Sequence, residues 1–400
     1  MSRGMLRGLL LVVVLLCLDS LVKIPVSGNY LHAYVLVIVC SLFVRYITVT
    51  RLFWTDFSNI ARDRAFVLLF LYTLCHSFFA LDFRVYLIMF SYMLLFAIGY
   101  IYVQTLPLNI DWRVWAGIAV IILCLSGFFQ YALMNVFDVQ LELRGIDESY
   151  FLNKGDLGSR MRGFYLEPNW FGISLYAWGY LLYRNVKGLR FREYSILFAA
   201  LLCLILSNNR LVFVFVFVIL GASFLSKFGR KIVYVYALSI VVVLVGAYVY
   251  FSFVDFDIAD RSATARIYTS ANVVAHWLNA DVFSKLWGHG FSNWSVYSNE
   301  LGFAVSNYTK DQSLTRRDNA EIYVYLFEMG LVCFLIFAID IYFCARKSVK
   351  PLDFVFVLTI YLSGLFYPMY QFLFYLLPYM VVRREIFGLP PSRKHFHKGV

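Results

Sequence analysis

Residues 232–254 read IVYVYALSIVVVLVGAYVYFSFV, with Lys231 before them, Asp255 after them and no charged residue between. A helix needs about 20 mainly apolar residues to cross the hydrocarbon core of a bilayer, and this run is long enough. Comparable apolar runs lie at 5–23, 30–49, 65–81, 85–105, 114–136, 164–183, 194–208, 210–226, 320–344, 353–367 and 370–382. Pro368 interrupts the last pair. The reading is an all-α fold, a polytopic transmembrane helical bundle of about twelve spans. Residues 1–400 form a single integral membrane domain in this reading.

Composition points the same way. The chain is 62% hydrophobic, 20% aromatic and 15% charged. Soluble domains are nearer half apolar and a quarter charged. The net charge of +11 would suit nucleic acid. The basic residues, however, fall in short clusters between apolar runs, as orientation signals do, and no nucleic-acid module accompanies them. The seven cysteines lie in apolar runs or at their ends and form no CxxC pair. That pattern offers neither a disulfide framework nor a zinc site.

Arg3 and Arg7 precede the apolar run Leu9–Leu18, with no small-x-small cleavage pattern after it. This reads as an uncleaved first span. With the N-terminus inside, the inner connections hold Arg45, Arg51, Arg62 and Arg64, then Arg113, then Arg184, Lys187, Arg190 and Arg192. Further along they hold Lys227, Arg230 and Lys231, and Arg346, Lys347 and Lys350, before a basic tail. The short outer connections are nearly free of Lys and Arg, so both termini are expected in the cytoplasm. Two long, acid-rich outer loops result, 137–163 and 255–319. The second is expected to be partly helical, because 262–280 has helical periodicity.

Four groups of residues could carry chemistry. The first is RMRGFYLEPNWFG, Arg160–Gly172, with Arg160, Arg162 and Glu167 ahead of Pro168. Pro suits the first turn of a helix and a carboxylate is favourable there, so a plain helix start is the structural alternative. The second is Leu206–Arg210, LSNNR, a polar break between two apolar runs. Arg210 there is an interfacial anchor or a functional cation, since ionisable groups at membrane depth are costly.

The third group lies in the long outer loop, with Arg261, Arg266, the segment Trp287–Phe291 (WGHGF) and Arg316, Arg317, Asp318, Asn319. Arginine forks bind phosphate oxygens bidentately, which suits a diphosphate. Trp277, Trp287, Trp294, Tyr297 and Tyr308 could stack on sugars or form an interfacial belt. His276 and His289 read as loop residues and not metal ligands. The fourth group is Asp318, Glu321, Tyr325 and Glu328, which share one helix face within an arc of about 80°. Carboxylates on a membrane helix should face a cavity or arginines; ion pairing inside the bundle is the alternative for Glu328.

In their order, these motifs resemble the O-antigen polymerase and ligase superfamily of bacterial envelope glycosyltransferases, which are GT-C-like membrane enzymes. RGFYLEPNWFG resembles the family's Arg–Gly–Glu-Pro opening of a central span, and SNNR its Ser/Arg turn. GHGF resembles its Gly-x-Gly segment, and RRDNAEIYVYLFEMG its closing helix with Glu-x-Gly. The resemblance covers roughly 160–335. The family's frequent His before Asn is Asp318 here, which weakens the ligase branch.

The resemblance implies glycosyl transfer from an undecaprenyl-diphosphate-linked oligosaccharide at the periplasmic face of the inner membrane. It implies no cofactor, no nucleotide sugar and no metal. Arg160, Arg162, Arg210 and Arg266 would include a diphosphate clamp, with Arg261, Arg317, Asn319 and Glu328 also touching substrate. The catalytic base or acceptor-orienting group would be Asp318 or Glu167, and these two stay open. Membrane lipids, a chain-length regulator and a flippase are the partners expected, and nucleic acid is not. The competing functions are an O-antigen ligase, a transporter or flippase of lipid-linked sugars, and a non-catalytic envelope scaffold.

Overall fold

The computed structural model describes residues 3–18, 21, 23–26, 29–48, 50–107, 110–137, 139, 160–165, 168–185, 191–253, 261–301, 321–364 and 373–388. Among them the chain is almost wholly α-helical. The exception is a two-stranded antiparallel hairpin, β1 (Lys23–Val26) and β2 (Asn29–His32), in which Val26 pairs with Asn29. It follows helix α1 (Arg3–Cys17), which ends before the first apolar run does, and takes Tyr30–His32 from the start of the second run. Pro25, with no N–H to donate, is disfavoured inside a helix and lies in β1.

The helices α2 (Ala33–Thr48), α3 (Thr50–Ala61), α4 (Arg64–Cys75), α5 (Phe83–Thr105) and α6 (Trp112–Asn135) follow. Then come α7 (Pro168–Asn185), α8 (Phe191–Ser207), α9 (Arg210–Leu225) and α10 (Arg230–Phe253). The helical segment expected near 262–280 is α11 (Arg261–Asn279), followed by the short α12 (Val282–Trp287) and α13 (Trp294–Glu300). Last are α14 (Glu321–Lys347), α15 (Pro351–Ser363) and α16 (Leu373–Gly388). Helix starts follow capping chemistry, with Asp63, Asp82, Asp111 and Asn209 each accepting a backbone N–H from the first turn.

Four of these helices are long and apolar enough to cross a membrane: Phe83–Thr105, Trp112–Asn135, Arg210–Phe228 and Ile322–Lys347. Several others are apolar but shorter. Outward faces are apolar too. Phe217 on α9 and Val235, Leu238 and Val242 on α10 are exposed, a surface compatible with a membrane environment.

Ion pairs gather one end of the bundle. Arg113 at the start of α6 meets Glu193 at the start of α8. Arg184 at the end of α7 binds both Asp353, at the start of α15, and Glu385, near the end of α16. Arg230 at the start of α10 donates to the Ala345 carbonyl of α14 at 2.7 Å. Several arginines read from the sequence as orientation charges are therefore also structural partners.

The most buried of these clusters centres on Arg383. Its guanidinium reaches Asp63 at 2.7 and 2.8 Å and Asp340 at 2.6 and 2.7 Å. Tyr100 donates to Asp63, and Tyr361 donates to Asp340. A buried ion cluster loses several kcal/mol per ion to desolvation, and breaking it strands a charge. Asp63→Ala should therefore lower stability by about 3–5 kcal/mol. Arg113→Ala should cost less, about 1–3 kcal/mol, because Arg113 is 34% exposed although its partner Glu193 is only 5% exposed. Denaturant unfolding of the purified protein in detergent would compare them.

Candidate functional site

Two of the sequence motifs meet at the opposite end of the bundle, where α6 and α8 end and α7 and α9 begin. The segment 160–165 lies along the α8–α9 turn. Met161 donates its N–H to Leu206 O at 3.1 Å. Arg160 donates Nε to Ser207 O at 2.9 Å and Nη2 to Asn208 O at 2.8 Å. The Arg162 N–H reaches Gln130 Oε1 of α6 at 2.8 Å. Arg162 itself is 2% exposed and Gln130 fully buried.

The turn is held from the other side as well. Asn209 caps α9 through Val212 N–H at 3.3 Å and donates Nδ2 to Asn169 O of α7 at 3.0 Å. Tyr165 donates to Leu16 O at 3.1 Å and lies 2.9 Å from Ser174 Oγ, linking the segment to α1 and α7. Arg210, the first residue of α9, is exposed. Arg160, Arg162 and Arg210 are thus gathered about one turn. Glu167 lies outside the described residues.

The third and fourth groups also meet. Helix α14 breaks at Gly330, whose backbone is at φ 60° and ψ −163°. The break frees carbonyls that a helix would otherwise occupy, and the Gly-His-Gly segment takes them. His289 N–H donates to Phe327 O at 2.9 Å and Gly290 N–H to Glu328 O at 2.8 Å. Tyr72 of α4 donates to Met329 O at 2.7 Å. A Cβ on Gly288 would fall 2.4 Å from the Glu328 backbone, and one on Gly330 would fall 2.4 Å from Leu286 O. Both positions also have positive φ, so glycine is required by space and by conformation.

Glu328 is fully buried, and its Oε1 accepts the Trp294 N–H at 3.0 Å, anchoring the start of α13. Asn293 donates to Phe79 O at 2.7 Å and to His289 O at 2.6 Å. The Phe291 N–H donates to His76 Nδ1 at 3.2 Å. His276 and His289 face one another, Nε2 to Nε2, at 3.3 Å. Burial and the neighbouring His276 hold His289 below the ordinary imidazole pKa, with Asp281 acting the other way. No group of three metal-ligating side chains is found among the described residues.

Arg261 and Arg266 lie on α11, with their side chains outside the described residues. Arg317, Asp318 and Asn319 also lie outside them. The alignment of Asp318 and Glu321 with Glu328 is therefore not described, and the helix carrying Glu328 breaks two residues later. Sequence reading missed Gln130, Tyr72 and His76, which act on backbone groups far away in the chain. It also missed the His276–His289 contact, since thirteen residues of separation leave no helical or strand periodicity to read.

The two non-glycine residues at positive φ among the described ones are Asn208, at 49°, and Ser292, at 78°. One sits in the LSNNR turn and the other beside the Gly-His-Gly segment. Strained backbone concentrates at functional sites, so its coincidence with both motifs marks this end of the bundle.

No family model, characterised protein or solved structure matches the chain.

Gly288→Ala and Gly330→Ala should each destabilise the protein by at least about 2 kcal/mol. Gly179→Ala, in α7 with nothing within 4 Å of the added Cβ, should be neutral or slightly stabilising. Thermal unfolding of the three variants side by side would check the contrast.

Proposed function

We propose that this chain is a membrane glycosyltransferase that polymerises undecaprenyl-diphosphate-linked oligosaccharide repeats of a bacterial surface polysaccharide. The observation that carries the reading is the arginine junction, with Arg160 bound across the LSNNR turn, Arg162 buried beside it and Arg210 exposed on it. In this proposal the bundle has about twelve spans in the bacterial inner membrane, with both termini cytoplasmic. Loops 137–163 and 255–319 are periplasmic, and the ion-paired end faces the cytoplasm.

The chemistry asks little of a cofactor. An acceptor hydroxyl attacks the anomeric carbon of the donor, and the lipid diphosphate leaves. Asp318 or Glu167 takes the hydroxyl proton or orients the acceptor. Fixed guanidinium donors stabilise the charge that develops on the bridging oxygen. Arg210 is the exposed member able to reach a headgroup, and Arg162 supplies positive charge from a desolvated position. Arg266 and Arg261 on α11, with Arg317 and Asn319, would complete the substrate contacts.

The test is the glycan profile of a deletion strain complemented by variants. Loss of the chain should leave lipopolysaccharide capped with a single repeat. Arg210→Ala should reduce polymer by about 10²-fold at normal protein level, the size expected for one lost transition-state donor. Asp318→Ala and Glu167→Gln should separate the two candidate bases. Bare core with stranded lipid-linked polymer would instead identify a ligase. Substrate trapped in the cytoplasmic leaflet would identify a flippase, and an unchanged profile would leave a scaffold.

A further inference from the structure

We propose that His276 and His289 form a proton-operated latch: an Nε2–Nε2 hydrogen bond between the two imidazoles helps hold α11 against the kink of α14, and protonation of both rings releases it. The latch goes beyond the transferase reading and does not depend on it. Its basis is the facing pair of Nε2 atoms at 3.3 Å. One ring must donate and the other accept across that contact. One added proton leaves an imidazolium that still donates to its neutral partner; protonating both rings sets two N–H donors and two positive charges face to face, turning attraction into repulsion.

Both rings also pack on Phe327 of α14, His276 with centroids 5.7 Å apart, so the contact adds to a packed seam between α11 and α14. His289 is fixed by its backbone bond to Phe327 O, and its ring stacks on Phe327 with centroids 4.5 Å apart. Tyr297 of α13 lies 5.7 Å from the same ring. His276 belongs to α11, and the adjacent Trp277 donates Nε1 to Lys285 O of α12 at 3.1 Å. Among the described residues, the charged groups near the pair are these. Asp281, at the start of α12, is bonded to the Ser284 N–H and hydroxyl. Glu328 of α14 is turned to the Trp294 N–H. Lys285 lies on α12, and on the α4 side Tyr72 and His76 are bonded to Met329 O and Phe291 N–H.

The direction follows from the His289 environment. Its protonation is disfavoured by burial and by His276, and Asp281 only partly offsets this. A group with a depressed folded pKa contributes stability that is complete above its ordinary value and is lost as pH falls through the folded value. The latch is therefore closed at neutral pH and opens below the ordinary imidazole value of 6.5. Opening would free the helix that carries Arg261 and Arg266.

Hydrogen–deuterium exchange on the full chain in lipid nanodiscs, at pH 7.5 and 5.0 and corrected for intrinsic rates, tests this. The amides of 270–279 should lose about 10-fold in protection at the lower pH, the loss of one hydrogen bond near 1.4 kcal/mol. Those of 112–135 should not change. His276→Phe keeps a ring but removes the shared proton, and His289→Gln removes the titrating group. Both should abolish the pH dependence. Equal wild-type protection at the two pH values overturns the proposal. So does pH dependence retained in both variants, or a loss of protection spread equally over 112–135.

Discussion

Arg383 is desolvated inside the bundle, and its charge is tolerated only because Asp63 and Asp340 meet it on both sides. The three residues come from α16, from the cap of α4 and from α14, so one cluster ties elements 320 residues apart. Neither carboxylate could stay buried without the guanidinium, nor the guanidinium without them. The cluster also sets an axial register. From Asp63 to Tyr72 along α4 is about 14 Å, and from Asp340 to Leu331, next to the break in α14, also about 14 Å, at 1.5 Å per residue. The two antiparallel helices therefore meet again where the Tyr72 hydroxyl donates to Met329 O. The break at Gly330 sits at that second meeting point, and the Gly-His-Gly segment docks into it.

The arginine junction is built on a different principle. There the bonds link side chains to backbone, with Arg160 donating to two turn carbonyls and Gln130 accepting from the Arg162 N–H. Such bonds hold a non-helical strip at the end of the bundle, where its peptide groups have no helical partners. The same strip must present cationic side chains. A buried Arg162 next to an exposed Arg210 gives a graded site, charged from inside and reachable from outside.

Much of the architecture was legible because an apolar run declares itself locally. Runs such as 232–254 and 114–136 became α10 and α6 within about two residues at each end, since a helix is the way a single segment satisfies its backbone in lipid. The helix at 261–279 was legible from periodicity. Where the reading slipped, a competing local rule acted. Tyr30–His32, at the start of the second run, paired as a strand with β1, and Gly330 broke a helix that hydropathy alone reads as continuous.

What the sequence by itself determined is therefore the helical, lipid-compatible nature of the chain and the short motifs worth attention, because both depend on residue type over a few turns. The pairing of those motifs was decided only by tertiary structure. Nothing local says that Arg160 crosses to Ser207, that His276 meets His289, or that Arg383 needs Asp63. Each contact is a charge or donor leaving water at one point in the chain and finding its partner at another. That partner is chosen by helix packing and register, and not by neighbourhood in the sequence.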